Sequence, residues 1–482
     1  MRKRFEPQLK IGQRPIEETP IAKKNRDGLT HLVLALRTLY SNAEYLNKVT
    51  NILEDSIISG KKKTGRIGMN LWEIFVLSQV RLCSNMSYDQ LHNTANFNSQ
   101  IRQLMGVELE WGFERIEFSY QSVIDNVSLL DDQTVRKLND VIVEFGQREV
   151  FKKKEEEALR LKTDSFVVES DVHFPTDYNL LWDCCRKALD VVTYFSDKYP
   201  GRLEGWRKIK NWRRLLKNQM RLLGKTCASG GANKEKRKSS QAANYIRVAR
   251  MLENKLTSGY GQFPIGDSID LAHMIALEEY LKLMVKHIDL VERRLVKGEI
   301  IPHHEKMFSI FETYTEWITK GKQRPNVELG KNLSVTTDHY HLIVDYRIME
   351  NQTDSQMLLK IADHVLLHHK VQSWSFDRGF WNAENKAVLS LYVPKVVMAK
   401  KGNPSMPEKE EEKQPDTIKL KNRHSAVESN IHALETRGLD RCPDKGYDHF
   451  KRYIGLGVCA YNLCCIGRAL MAAQKRALKK AA

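Results

Sequence analysis

The sequence predicts an α/β protein: a mixed sheet covered by helices, with a helical N-terminal domain and a large helical insertion after the first strand. Three observations carry this. Residues 159–168 alternate and turn β-branched toward their end, the pattern of a strand. From 178 to about 297 the apolar residues recur at helical spacing. From 308 onward short strand-like runs alternate with helical ones, the order of a layered α/β domain.

The bulk numbers bound the answer. A chain of 482 residues holds two to four domains at roughly 100–200 residues each. Lys and Arg outnumber Asp and Glu by 77 to 60, a net charge of +17. Such a balance points to a polyanionic partner, most often nucleic acid, because neutralised phosphates release condensed counterions. Eight cysteines include the adjacent pairs Cys184-Cys185 and Cys464-Cys465 but no CxxC spacing, which excludes a zinc ribbon and reads as reduced, buried thiols. Met1-Arg2-Lys3-Arg4 is followed by no apolar run, so no secretory signal is expected. The longest uncharged stretch, 453–467, is too short to span a bilayer and reads as a buried helix. The expectation is a cytoplasmic protein with no membrane partner.

In chain order, 1–65 is a basic arm with one helix near 32–53, closed by a linker at 60–65. Residues 66–150 form a helical domain for DNA binding or dimerisation. Leu71, Ile74, Phe75, Ser78 and Leu82 share a helix face, 84–87 breaks the helix, and Ser87 caps the next one, a pairing that resembles a helix-turn-helix. The mixed-charge run 152–157 ends this domain. The α/β core takes 151–177 and 300–440, and the insertion takes 178–299, broken at 198–202 and by a flexible basic stretch at 230–241. Strands are expected at 159–168, 308–318, 341–348, 373–377 and 395–398, with helices at 354–369 and 383–391. A Pro/Glu/Lys-rich loop covers 402–417, and helices follow at 421–436 and 447–475, the last within a C-terminal segment, 441–482.

Three acids lie where this architecture brings side chains together. Asp164 is on the first strand, Asp377 ends a later strand, and Glu428 is on the helix after the last strand. Carboxylates so placed can hold two Mg²⁺ ions roughly 3.5–4 Å apart. Oxygen ligands suit Mg²⁺, or Mn²⁺, and disfavour Zn²⁺. Asp171 is an alternative first acid. His364 and His368 share a helix face but have no acid or Cys at a useful spacing on it, so they read as structural. Trp206, Lys208, Lys210, Trp212, Arg213 and Arg214 interleave aromatics with charge, either a DNA-tracking surface or an amphipathic helix with core tryptophans. Trp374 and Trp381 flank Asp377 and read as core, with stacking on a distorted DNA end as the alternative. Arg437, Arg441, Lys451 and Arg452 read as phosphate contacts, and a solvated basic face would read the same.

Three blocks then carry a resemblance: Thr163-Asp164-Ser165-Phe166-Val167-Val168-Glu169 with Val172–Asp177 behind it; Phe376-Asp377-Arg378-Gly379-Phe380-Trp381 with Glu384-Asn385; and Arg423-His424-Ser425-Ala426-Val427-Glu428-Ser429 with Arg437–Cys442. Together and in order they resemble the DDE-type insertion-sequence transposases of bacteria, whose catalytic core is RNase H-like. The likeness covers most of 66–470. It implies Asp164, Asp377 and Glu428 as a catalytic, metal-binding triad for two Mg²⁺ ions. It also implies phosphodiester hydrolysis and strand transfer on double-stranded DNA, both terminal inverted repeats and target, by a homodimer that pairs two ends. Arg378, Arg423, His424, Arg437, Arg441, Lys208 and Arg213 are the expected DNA contacts. The alternative is a non-catalytic, sequence-specific DNA-binding protein derived from a transposase. The chain departs from some relatives around the last acid. Lys421, His424 and Glu435 stand where those relatives carry Tyr, Arg and Lys, and the insertion follows the first acid rather than the second.

Overall fold

The structure, a computed structural model, describes residues 2–5, 9, 12–22, 28–60, 68–109, 115–319, 326–403 and 405–481. It divides into two compact units, 1–171 with 316–482, and 172–315.

The first unit opens with helices α1 (Gly28–Tyr40) and α2 (Ala43–Ile57). The sequence reading made these one helix. The chain breaks at Ser41-Asn42 because the Asn42 side chain accepts the backbone N–H groups of Glu44 and Tyr45 and so caps α2. Residues 61–65 of the expected linker lie outside the described residues. Next come α3 (Leu71–Cys83), α4 (Tyr88–Phe97), α5 (Ser99–Met105), α6 (Tyr120–Val127) and α7 (Asp132–Phe145). Ser87 caps α4 in a reciprocal box with Gln90, as its spacing predicts. Every residue of α3 is buried, including Arg81, whose guanidinium meets Asp444 through bonds of 2.6 and 2.9 Å. Helix α3 is therefore the centre of a helical bundle, whereas α4 buries only Leu91, Ala95 and Asn96.

Strand β1 (Leu159–Ser170) follows. The second unit then supplies α8 (Asp177–Lys198), α9 (Ile209–Ala228), α10 (Lys234–Ser258) and α11 (Ser268–Leu295) around one apolar core. The basic stretch at 230–241 is mostly the first turns of α10, a correction to its reading as flexible.

Back in the first unit come β2 (Glu316–Thr319), β3 (Val327–Thr337), β4 (Ile343–Ile348), α12 (Asp354–His368), β5 (Val371–Phe376), α13 (Ala383–Ser390) and β6 (Lys395–Met398). Helices α14 (Met406–Lys413), α15 (Pro415–His424) and α16 (Ala426–Leu434), the short β7 (Arg441–Cys442) and α17 (Tyr447–Ala481) complete it. Three expectations fail here. Residues 308–315 are turns and bends rather than strand, and the main antiparallel partner of β1 is β3, which the sequence reading passed over. Gly330, Lys331 and Asn332 interrupt its alternation. Gly330 is required there, since any Cβ would collide with the Val168 carbonyl on β1. The loop expected at 402–417 contains α14. The helix expected at 421–436 is two helices meeting at Ser425.

The seven-stranded mixed sheet has the order β2-β3-β1-β5-β6, with β4 also on β3 and β7 also on β1. Strands β5 and β6 run parallel to β1, and β3 runs antiparallel to it. Trp374 on β5 donates to the Thr163 hydroxyl at 2.7 Å, and Thr163 meets Thr336 on β3 at 2.8 Å. This buried chain locks the register of three strands at the level of Asp164, because a slipped register would leave all three polar groups unpaired. By length and composition α17 is apolar enough to cross a membrane, longer than its uncharged stretch suggested, but 83% of its most apolar window is buried within the protein. All eight cysteines are free, and all but Cys227 are buried.

Candidate active site

Asp164 sits mid-strand in β1, opposite Val335 of β3. Its neighbour Thr163 pairs with Phe376, the last residue of the parallel strand β5, and the Asp377 N–H donates to the Thr163 carbonyl at 3.3 Å. The two acids therefore leave adjacent strands side by side. Asp377 caps a short turn by accepting the Gly379 N–H at 3.2 Å. Glu428 is in the first turn of α16, which packs on β1. The break at Ser425 places it there, where the helix dipole favours an anion. Asp171 is exposed beyond the end of β1.

Burial pushes the Asp164 carboxyl up to about 6, and the charges of Asp377, Asp354 and Glu428 push the same way. The Ser165 N–H, at 2.7 Å, is its one recorded counterweight. Asp164, Asp377 and Glu428 form no ion pair among the described residues. Asp164 is half-buried, while Asp377 and Glu428 are exposed; like charges gathered without cationic partners raise one another's energy, and a divalent cation relieves that repulsion. The donor set, oxygen only, fits Mg²⁺ or Mn²⁺. Among the described residues no three acids, His or Cys are already drawn together tightly enough to chelate an ion. The site is an open cluster.

Asp354 was missed by the sequence reading. It opens α12, where an acid after Thr353 reads as ordinary capping chemistry. The fold carries it to the cluster. Ser165, next to Asp164, donates its hydroxyl to Asp354 at 2.8 Å, and a methyl group on Gly379 would overlap the Asp354 carboxylate. Burial raises its pKa, with the Asp377 charge adding.

Beside Asp377 a cavity of about 430 Å³ is lined by Arg378, Trp381, Lys400, Glu408 and His424. Two of its lysines are paired to the acidic helix α14, Lys386 with Glu411 at 2.9 Å and Lys400 with Glu408 at 2.9 Å, while Lys421 makes no ion pair among the described residues. Trp374 is core, whereas Trp381 is half-exposed on the cavity wall.

The expected DNA contacts separate by placement. Arg378 and Arg423 are exposed, the first held by a 3.0 Å bond to the Lys400 carbonyl. His424 is half-buried, with Nδ1 3.0 Å from the Ser375 hydroxyl, Nε2 buried, and a pKa lowered by burial. Arg437 turns inward to the Ala433 carbonyl, with Nε buried. Arg441 pairs with Glu169 at 2.6 Å, and Lys451 with Asp448 at 2.8 Å. Arg452 is buried, its guanidinium bonded to the Ser128 carbonyl, which corrects its reading as a phosphate contact. In the helical unit Lys208 is exposed, and Arg213 pairs with Asp190 at 2.7 Å. Trp206 is buried and Trp212 packs on the core, so neither is a stacking platform. His364 Nδ1 lies 3.0 Å from Asp345.

Residues 298–463 match the family model described as transposase DDE domain. No curated protein and no solved structure matches the chain. The matched segment begins before β2 and runs into α17, taking in Asp377 and Glu428, and the mixed sheet it shares with β1 is an RNase H-like core. Members of that family are DNA-acting nucleases and transferases that use divalent metal ions. Over residues 298–463 the chain thus carries the likeness of a transposase DDE domain, which supports a DDE-type insertion-sequence transposase.

Proposed function

We propose that the protein is an active transposase that binds the terminal inverted repeats of its own insertion sequence, hydrolyses phosphodiesters there, and transfers the freed 3′ ends to target DNA. The observation that carries this is the convergence of Asp164, Asp377 and Glu428 from β1, β5 and α16, none of them ion-paired among the described residues.

In this reading the three acids hold two Mg²⁺ ions, with Mn²⁺ as a substitute. Bound there, the ions would lower the pKa of the attacking water or 3′-hydroxyl and stabilise the departing oxygen. The chain's own part is placement. The β1–β5 pairing fixes the spacing of Asp164 and Asp377, the Ser165 N–H orients the first carboxylate, and the Gly379 N–H orients the second. Arg378, exposed next to Asp377, and Arg423, exposed near the end of α15, are the favoured phosphate contacts in the core, and Lys208 is favoured in the helical unit. Arg441 would first have to leave Glu169.

The domain assignment offered with this function is a basic arm (1–65), a DNA-binding and dimerisation domain (66–150), a catalytic core (151–177 and 300–440), an insertion (178–299) and a C-terminal helical segment (441–482). The working form is a homodimer pairing two ends, in the bacterial cytoplasm on the nucleoid. The test is cleavage and strand transfer on labelled repeat-bearing DNA in Mg²⁺, comparing wild type with Asp377→Ala. Nicking and joining that vanish in the variant while DNA binding persists are the expected result. Tight binding by both proteins with no cleavage by either, in Mg²⁺ or Mn²⁺, replaces this reading with a non-catalytic DNA-binding protein.

A further inference from the structure

Helix α9 buries only Leu216 and Leu223 fully, and its inner face is completed by Trp212, Met220 and Cys227 against the core of the helical unit. The outward face is different. Lys210, Arg214, Lys217, Arg221 and Lys225 follow one another at intervals of three or four residues, so they form a single stripe, one cation per turn. All five are exposed, and none makes an ion pair or side-chain hydrogen bond among the described residues. At a rise of about 1.5 Å per residue the stripe runs about 22 Å.

This is not how the rest of the same unit treats charge. On α11, Lys282 sits between Glu278 and Glu279, and Arg293 meets Asp289, Glu299 and Glu305. On α8, Lys198 meets Asp267 and Asp270. Between Arg202 and Lys255, by contrast, the chain carries 16 Lys and Arg against 3 Asp and Glu, most of the protein's +17. Like charges three and four residues apart destabilise a helix. A row of them retained on one face, next to helices that pair their charges, fits a surface completed by a polyanion.

We propose that the α9 stripe is a phosphate-backbone surface for duplex DNA, made by the insertion itself and independent of sequence. The inference rests on the transposase reading for the identity of the polyanion. Duplex DNA presents one charge per about 1.7 Å of axis, so the length of the stripe spans about a dozen phosphates and each cation can find one. The two exposed leucines on this side, Leu215 and Leu222, are too few to anchor the helix in a lipid surface. The surface also refines the interleaved motif at 206–214: its aromatic members hold the helix to the core, and its cations, apart from Arg213, face solvent.

The experiment measures affinity of the full chain for two labelled duplexes, one repeat-bearing and one scrambled, by fluorescence anisotropy across a range of NaCl concentrations. The variant is R214Q/K217Q/R221Q. The control is K187Q/R250Q/K282Q, which removes three cations that are already ion-paired. The stripe variant should lose two to three units from the slope of log K against log salt, at about 0.9 per phosphate contact, and weaken both duplexes alike. The control should keep the wild-type slope. Thermal melts confirm that both variants fold. A wild type that cleaves repeat-bearing DNA, with an unchanged slope in the stripe variant, overturns the stripe alone. A wild type that neither binds nor cleaves overturns the function beneath it. Binding of the wild type to phosphatidylserine vesicles that the stripe variant loses, with the DNA slope unchanged, assigns the stripe to an anionic membrane instead and likewise overturns it.

Discussion

The two units differ in where their unpaired charge lies. In the sheet unit, ionisable groups are taken inside. Asp164, Asp338, Asp345, Arg81 and Arg452 are buried or half-buried, and burial raises Asp164 and Asp338 each to about 6. The helical unit also buries acids, Asp177, Asp183 and Asp270, but each is paired to a cation, while the unpaired cations of α9 line its outside. Desolvating a carboxylate costs several kcal/mol unless something binds it, so a cation bound at the open cluster would relieve the half-buried Asp164. A solvated lysine costs little.

That contrast can be broken in five places. The largest effect belongs to the acid cluster: Asp377→Asn should slow cleavage by about 1,000-fold or more, the several kcal/mol that charge stabilisation by held metal supplies, with DNA affinity nearly unchanged. Single-turnover cleavage and anisotropy on one duplex check both halves. Second, the sheet unit should tolerate no bulk at the β1–β3 contact. Gly330→Ala should destabilise it on the order of 2–3 kcal/mol, read in urea melts, because its Cβ meets the Val168 backbone rather than a movable side chain.

Third, acid should weaken the helical unit through His287. This ring is fully buried with both nitrogens unpartnered, and burial lowers its pKa to about 4. The unfolded chain takes up a proton near pH 6.5 that the folded ring refuses. Stability is therefore complete above pH 6.5 and is lost as pH falls toward 4, by up to about 3 kcal/mol. His287→Leu should flatten the melting temperature across that window. Fourth, Asp354→Asn should weaken Mn²⁺ binding by about 10-fold, the usual cost of disturbing groups that orient metal ligands. Calorimetry on the protein without DNA measures this, and unchanged affinity would assign Asp354 to helix capping alone. Fifth and smallest, the R214Q/K217Q/R221Q variant should keep its folding stability within about 0.5 kcal/mol, as solvated surface positions do.

The sequence by itself determined the local alphabet of this protein. Alternation placed β1, helical spacing placed α12 and α13, Ser87 capped α4, and the uncharged run at 453–467 lay inside a buried helix, because periodicity and capping depend only on near neighbours. The acids Asp164, Asp377 and Glu428 are expected as a set from their ordered blocks. What depends on distant partners was not. Strand β3 exists because β1 is there to pair with it, and Gly330, which spoils its pattern, is the residue the close approach demands. Asp354 reads as a capping acid until the fold sets it against Ser165 and Gly379. Arg437 and Arg452 read as surface cations until packing turns them inward. Which side of α9 faces water was settled only when its tryptophan found the core of the helical unit. Burial is a property of neighbours far along the chain, and it decides whether a charged side chain is a site, a strut or a surface.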